Sequence, residues 1–169
     1  KHISVAQLDA AALIKFRTAG DCWIHLPEEL FDMDYPGHYM RRIKSFSITI
    51  PCLAGPYTTI SCVVTMAGNS LRMSADTSGN YPRKTAGGIP TDDPRFRDGV
   101  GSIQSMATSS AQNDSGLFEL NFRDERYLPF EGAGAISLWR LQLPAALQSF
   151  DYTTISDVIL HVHYTSRDG

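Results

Sequence analysis

The stretch TTISCVVTM, residues 58–66, sets Ile60, Cys62, Val64 and Met66 on one face and Thr59, Ser61, Val63 and Thr65 on the other. Successive side chains of an extended strand point to opposite sides, so this order offers one face to a core and one to water. A helix would gather residues three and four apart and mix the two sets. The same period recurs in residues 44–50, where Phe46, Ile48 and Ile50 oppose Ser45, Ser47 and Thr49. It recurs again where Phe118, Leu120 and Phe122 alternate with Leu117, Glu119 and Asn121. Near the end of the chain, Val158, Leu160, Val162 and Tyr164 alternate with Asp157, Ile159, His161 and His163. Several half-buried strands separated by Gly, Pro and Asn turns predict an all-β protein, an antiparallel β-sandwich with Greek-key or jelly-roll-like connections.

Residues 135–143 depart from simple alternation. Ala135, Trp139, Leu141 and Leu143 share one face, while Ile136 and Leu138 make the other apolar at one end only. That pattern suits a strand in the middle of a sheet, covered on its outer side for part of its length. Pro51 and Pro144 close their strands, because proline donates nothing to a ladder. Helical signal is thin. Asp9 suits the cap of a helix over residues 10–17 with Gly20 as its stop, although the same stretch reads equally as a bulged strand. A second helical turn over residues 28–31 follows Pro27. The expectation is at most one or two short helical turns on a β framework.

At 169 residues the chain is expected to form one sandwich domain over residues 1–169, long enough to bury a sizeable core. Its net charge of −3, with Lys and Arg scattered, argues against a nucleic-acid partner, which would need clustered positive charge. No apolar run approaches the roughly 20 residues that span a bilayer, so no membrane contact is expected. The first residue is Lys and no secretory signal follows it, so the chain reads as a fragment of a longer one. Cys22, Cys52 and Cys62 lack CxxC or zinc-ligand spacing and read as small structural thiols.

Catalytic patterns are missing from the sequence. It holds no GxSxG, HExxH, P-loop or strand-to-helix GxGxxG, and Gly132-Ala133-Gly134-Ala135 precedes a strand, as a tight bend would. His161 and His163 share a strand face at a spacing that suits metal ligation, with Asp157 nearby, and Asp32, Asp34 and Tyr35 offer oxygen ligands for calcium. Exposed strand histidines and hydrogen-bonded turns explain both sets more simply, so no metal, no cofactor and no enzymatic activity are expected. The string Arg123-Asp124-Glu125-Arg126-Tyr127 reads as a salt-bridged loop in preference to a pair of catalytic carboxylates. Residues 75–101 stand apart, rich in Gly, Pro, Asp, Thr and Arg without apolar period. Loops this long are often functional, and Tyr81, Arg83, Arg95, Phe96 and Arg97 are residue types enriched at protein interfaces. They form the expected partner-binding set, and on this view Arg95, Phe96 and Arg97 can all be replaced by Ala at little cost to the fold.

A family resemblance rests on longer strings. Arg41-Arg42-Ile43-Lys44-Ser45 up to Pro51 and then Gly55-Pro56-Tyr57-Thr58, with Phe122-Arg123-Asp124-Glu125-Arg126-Tyr127-Leu128-Pro129-Phe130-Glu131-Gly132-Ala133-Gly134-Ala135, resemble the C-terminal domain of the A component, TcA, of bacterial insecticidal toxin complexes. Trp139-Arg140-Leu141, Phe150-Asp151-Tyr152 and residues 155–161 continue the likeness in order, and residues 30–39 precede it. The resemblance implies a docking module of a secreted, pentameric translocation channel, close to neighbouring copies in the TcA homopentamer. Its partner would be the β-propeller of TcB in the TcB–TcC cocoon, and docking would release the toxic enzyme into the channel. No contact residue is carried across by the resemblance. The competing expectation, from another class, is a carbohydrate-binding sandwich using Trp23 and tyrosines as sugar platforms, with Trp139 reading as core.

Overall fold

The computed structural model describes the chain apart from residues 54–58, 77–80, 88, 100, 111–116, 122–127 and 145–149, and describes the backbone alone at residues 59, 104–110 and 117–121. The string 123–127 and residues 55–58 of the resemblance therefore lie outside the described residues. The strands are β1 (His2–Ser4), β2 (Asp21–Leu26), β3 (Tyr39–Pro51), β4 (Thr59–Arg72), β5 (Thr85–Ala86), β6 (Ile89–Pro90), β7 (Phe96–Gly99), β8 (Ile103–Ser110), β9 (Leu117–Asn121), β10 (Ile136–Gln142) and β11 (Ile159–Arg167). Helices α1 (Val5–Leu8), α2 (Ala10–Ala19) and α3 (Glu28–Asp32) lie near the start of the chain.

One sheet has the order β1-β11-β3-β9 and the other β2-β10-β4, with β8 and β7 sharing the far edge of β4. With β5, β6 and β7 set aside, the remaining eight strands, counted along the chain, run 1-8-3-6 in one sheet and 2-7-4-5 in the other. That is the jelly-roll order, in which nearly every connection crosses between sheets, and every described pairing in the two sheets is antiparallel. The all-β sandwich and its expected jelly-roll connections are thus borne out.

Alternation explains the core. Ile60, Cys62, Val64 and Met66 of β4 face Phe46, Ile48 and Ile50 of β3 across the sandwich, joined by Leu160 and Val162 of β11, and all are buried. At the centre Trp139 of β10 stacks on Phe46 of β3, with ring centroids 4.1 Å apart and planes 10° from parallel, and Phe130 meets both edge-on. Trp139 Nε1 donates 2.7 Å to Ser137 Oγ, which donates in turn to the Ala135 carbonyl, so the indole is buried without an orphan donor. Phe130 is held there by the bend over residues 128–135. The Ile43 amide donates 2.8 Å to the Ala133 carbonyl, the Ile43 carbonyl accepts from the Gly132 amide at 2.8 Å, and a Cβ on Gly134 would run into the Ser70 carbonyl of β4. The three cysteines are free and buried, and burial pushes Cys22 and Cys62 to about 12 and Cys52 to about 11, as expected of structural thiols.

The helices are fuller than expected. Asp9 accepts from the Ala12 amide at 3.0 Å and Gly20 ends α2 at φ 67°, so the predicted cap and stop both act, but α2 runs ten residues and α1 precedes it. Tertiary packing of Ala12, Leu13 and Phe16 into the core decided what the weak amphipathic pattern left open between helix and bulged strand.

Candidate functional site

The long segment of residues 73–102 is the connection between β4 and β8. Its end returns as β7 and pairs with the last turns of β4, Leu71 with Arg97 and Arg72 with Phe96. This brings the polar termini of β3, β4 and α3 beneath one loop, and the loop is tied down by ionic contacts at three points.

The innermost tie is buried. Glu28, in the first turn of α3, accepts from Arg72 Nε at 2.7 Å and Nη2 at 2.6 Å, and from Arg41 Nη1 at 3.4 Å. Arg41 Nη2 also donates 2.6 Å to Asp32 and 2.9 Å to the Tyr35 carbonyl. Two buried guanidinium groups thus face buried Glu28 and half-buried Asp32, a neutral set, which offsets the cost of taking these charges out of water. The Arg72 guanidinium lies between the rings of Tyr81, 4.2 Å from its centroid, and Phe96, 4.5 Å away. Arg72 also donates 2.8 Å to the Tyr81 carbonyl, and the Tyr81 hydroxyl donates 2.9 Å to Asp32. Burial, then the hydrogen bond to Asp32, raises the Tyr81 hydroxyl above its ordinary value.

Two further ties close the loop on itself. Arg83 makes a two-point bond to Asp98 at 2.6 and 2.8 Å, reaches Ser70 Oγ at 2.7 Å and donates to the Thr91 carbonyl. These bonds hold the Asp98 carboxyl down to about 2. Arg95 donates to both oxygens of buried Asp93 at 3.0 and 2.7 Å and to the Pro82 carbonyl, which holds Asp93 well below the usual carboxylate range. Phe96 sits among all three guanidinium groups, with Arg83 at 5.2 Å and Arg95 at 6.0 Å from its centroid.

The structure therefore brings Tyr81, Arg83, Arg95 and Phe96 together, but turned toward one another within the chain. Arg97 is the member of the predicted set that faces outward, beside Asp98 on β7. The two-residue strands β5 and β6 pair antiparallel between the ties, and Ile89 of β6, opposite Ala86, is 71% exposed. Arg95 anchors Asp93 and Phe96 covers Arg72, so replacing them disturbs the loop itself, contrary to the expectation of little cost to the fold. Sequence reasoning missed Glu28, Arg41, Arg72, Asp93 and Ile89. The one available signal was an acidic residue in a short helical turn directly behind a proline, with two arginines at strand positions otherwise apolar.

The other candidates resolve separately. Asp32 serves Arg41 and Tyr81, while Asp34 takes Lys1 Nζ at 2.8 Å, so these carboxylates face different cations and share no common point. His161 is paired with His2 of β1 and not with His163. Trp139 is fully buried, as its face predicted; Trp23 is 48% exposed, with Arg140 lying 5.4 Å over its ring and bonded to Asp21. Among the described residues no helix is long and apolar enough to cross a membrane.

Residues 1–166 match the family of the Tc toxin complex TcA C-terminal TcB-binding domain. The toxin subunit YenA2 of Yersinia entomophaga is 40% identical over 164 residues, covering 94% of this chain and 11% of that protein. The cryo-EM structure of Yersinia pseudotuberculosis TcaA-TcaB shares the fold, with a TM-score of 0.55 and 22% identity over 99% of this chain and 10% of that chain. The chain thus spans about a tenth of the length of the relatives it matches.

Two predictions follow from the ties. Glu28→Ala leaves two buried guanidinium groups short of a carboxylate and is expected to cost about 3–5 kcal/mol in urea unfolding; a loss below about 1 kcal/mol would show that the tie contributes little. Asp98 has a carboxyl depressed in the folded state, so the stability it adds is present above the ordinary Asp range of about 4 and is lost as pH falls toward about 2. Backbone amide protection in residues 83–99, measured against the intrinsic exchange rate at each pH, should fall in that window, and Asp98→Asn should remove the pH step.

Proposed function

The chain belongs to the Tc toxin complex TcA C-terminal TcB-binding domain family, and from that premise we propose that its jelly roll docks TcB through the clamped loop of residues 81–99. The observation that carries this reading is the loop's construction. A loop held by two arginine–carboxylate ties of its own and by the bonds of Tyr81 to Arg72 and Asp32 loses little conformational freedom on binding, so more of the contact energy appears as affinity. In this reading Tyr81, Arg83, Arg95 and Phe96 act by presenting the loop, while Ile89 and Arg97 touch the partner. An exposed isoleucine and an exposed arginine on one loop suit the composition of interface centres.

The loop faces the β-propeller of TcB within the TcB–TcC cocoon, and docking opens the path by which the toxic enzyme enters the channel of the secreted TcA pentamer. The domain's part in that sequence is recognition and mechanical coupling, which needs no catalytic group or cofactor. A carbohydrate-binding role rests on Trp23 alone, whose ring is partly covered by Arg140.

Titration of the chain against a purified TcB–TcC cocoon tests the reading. Ile89→Asp with Arg97→Ala is expected to weaken binding at least about tenfold, the effect of losing central contacts, with the melting temperature within about 2 °C of the parent. Trp23→Ala should leave the affinity unchanged. Parental affinity in the double variant would refute the loop as the docking surface, and loss of affinity on Trp23→Ala would move the interface to the outer face of β2 and β10.

A further inference from the structure

Away from the loop, the outer face of the β1-β11-β3-β9 sheet carries a polar row. His2 of β1 lies directly opposite His161 of β11, and His161 opposite Ser47 of β3. Directly opposed residues of an antiparallel pair bring their Cβ atoms within about 5 Å, so two imidazoles placed there must meet. Their Nδ1 atoms point at each other at 2.5 Å, with ring centroids 4.7 Å apart and planes 77° apart. The second nitrogen of His161 is held as well. Its Nε2 shares a hydrogen bond of 2.7 Å with the hydroxyl of Thr49, a residue only 5% exposed and therefore fixed by its surroundings.

We infer that His2 and His161 form a two-imidazole site for a borderline divalent cation, of the zinc, nickel or copper class. These ions favour imidazole nitrogen, and a ligating histidine typically has its other ring nitrogen held by a neighbouring group, the part Thr49 plays here. An ion about 2.0–2.1 Å from each nitrogen in tetrahedral geometry needs the two nitrogens about 3.3 Å apart. The required opening is less than about 1 Å, and His2, exposed on a three-residue edge strand, has room to supply it. Water, or a carboxylate from a docked protein, completes the coordination on the solvent side. The nearby charges do not compete: Lys1 Nζ is bonded to Asp34, and Asp157 accepts from Ser4 and from the Ala6 amide. The site lies on the opposite sheet from β7, so it stands independently of the docking proposal.

The test uses the untagged chain and zinc chloride or nickel sulfate alone, read by calorimetry and by melting temperature. The expected result is saturable binding of one ion per chain, reversed by chelator, with the melting temperature raised by about 2–4 °C at saturation. His161→Gln should abolish binding, and Thr49→Val should weaken it about tenfold, because the imidazole loses its orienting partner. His2→Gln provides a second arm should His161→Gln disturb the sheet. An amine–imidazole chelate formed by Lys1 and His2 would survive His161→Gln, so binding retained in a folded His161→Gln chain overturns the assignment. Absence of saturable binding by the parent chain overturns it equally.

Discussion

One carboxylate, that of Glu28, decides the arrangement of the functional end of this molecule. It sits at the start of a five-residue helix, in a layer from which water is nearly excluded, and it takes bonds from arginines on two different sheets. Arg41 comes from β3 and Arg72 from β4, so the ion set fastens the two layers of the sandwich where their hydrophobic contact gives out. A hydrophobic substitute of equal volume would close the layers as well. It would not supply the charged platform on which Tyr81 and Phe96 stack, and without that platform the connection between β4 and β8 keeps only the β7 ladder and the Arg83 and Arg95 ties. Buried ionic groups are often a weak source of net stability, and here their value is conformational: they select one path for the loop.

That choice bears on function through preorganisation. Aromatic and arginine residues in a long loop would ordinarily be taken as the groups that touch a partner, since those types dominate interface energetics. In this chain most of them are used internally. Three guanidinium groups surround one phenylalanine ring, and each is balanced by a carboxylate, Glu28, Asp98 or Asp93. The outward surface is left to small residues, prolines, Lys84, Ile89, Arg97 and the exposed carboxylates Asp92 and Asp98. Such a loop behaves as an extension of the rigid sandwich, a rigid scaffold that presents a recognition surface.

Much of the scaffold was legible in the order of residues. The alternation in β3, β4 and β11 named the inward faces correctly, and the broken alternation around Trp139 marked β10 as an interior strand, because a period of two leaves no second way to place side chains. The cap at Asp9 and the stop at Gly20 were legible for the same local reason. Strand order was not, since antiparallel pairing over connections of many residues is chosen by packing of the whole and leaves no mark on any one segment. The loop was legible as a functional candidate, and its members were named, but their orientation was hidden. Whether an arginine faces solvent or a carboxylate depends on Glu28 and Asp93, one some fifty residues away in sequence from Tyr81 and the other two residues from Arg95. The cross-strand meeting of His2 and His161 was hidden likewise: from sequence His161 had a neighbour at His163, and only the pairing of the first strand with the last revealed another.

The central claim, that a loop clamped through Glu28 is the surface presented to TcB, is tested most directly by hydrogen–deuterium exchange of the chain alone and in complex with the TcB–TcC cocoon. The account predicts that amides of residues 81–99 already exchange slowly in the free chain, because the loop is preformed, and slow further on binding while the outer faces of both sheets are unchanged. Fast exchange of the free loop, or new protection confined to β2 and β10, would contradict it.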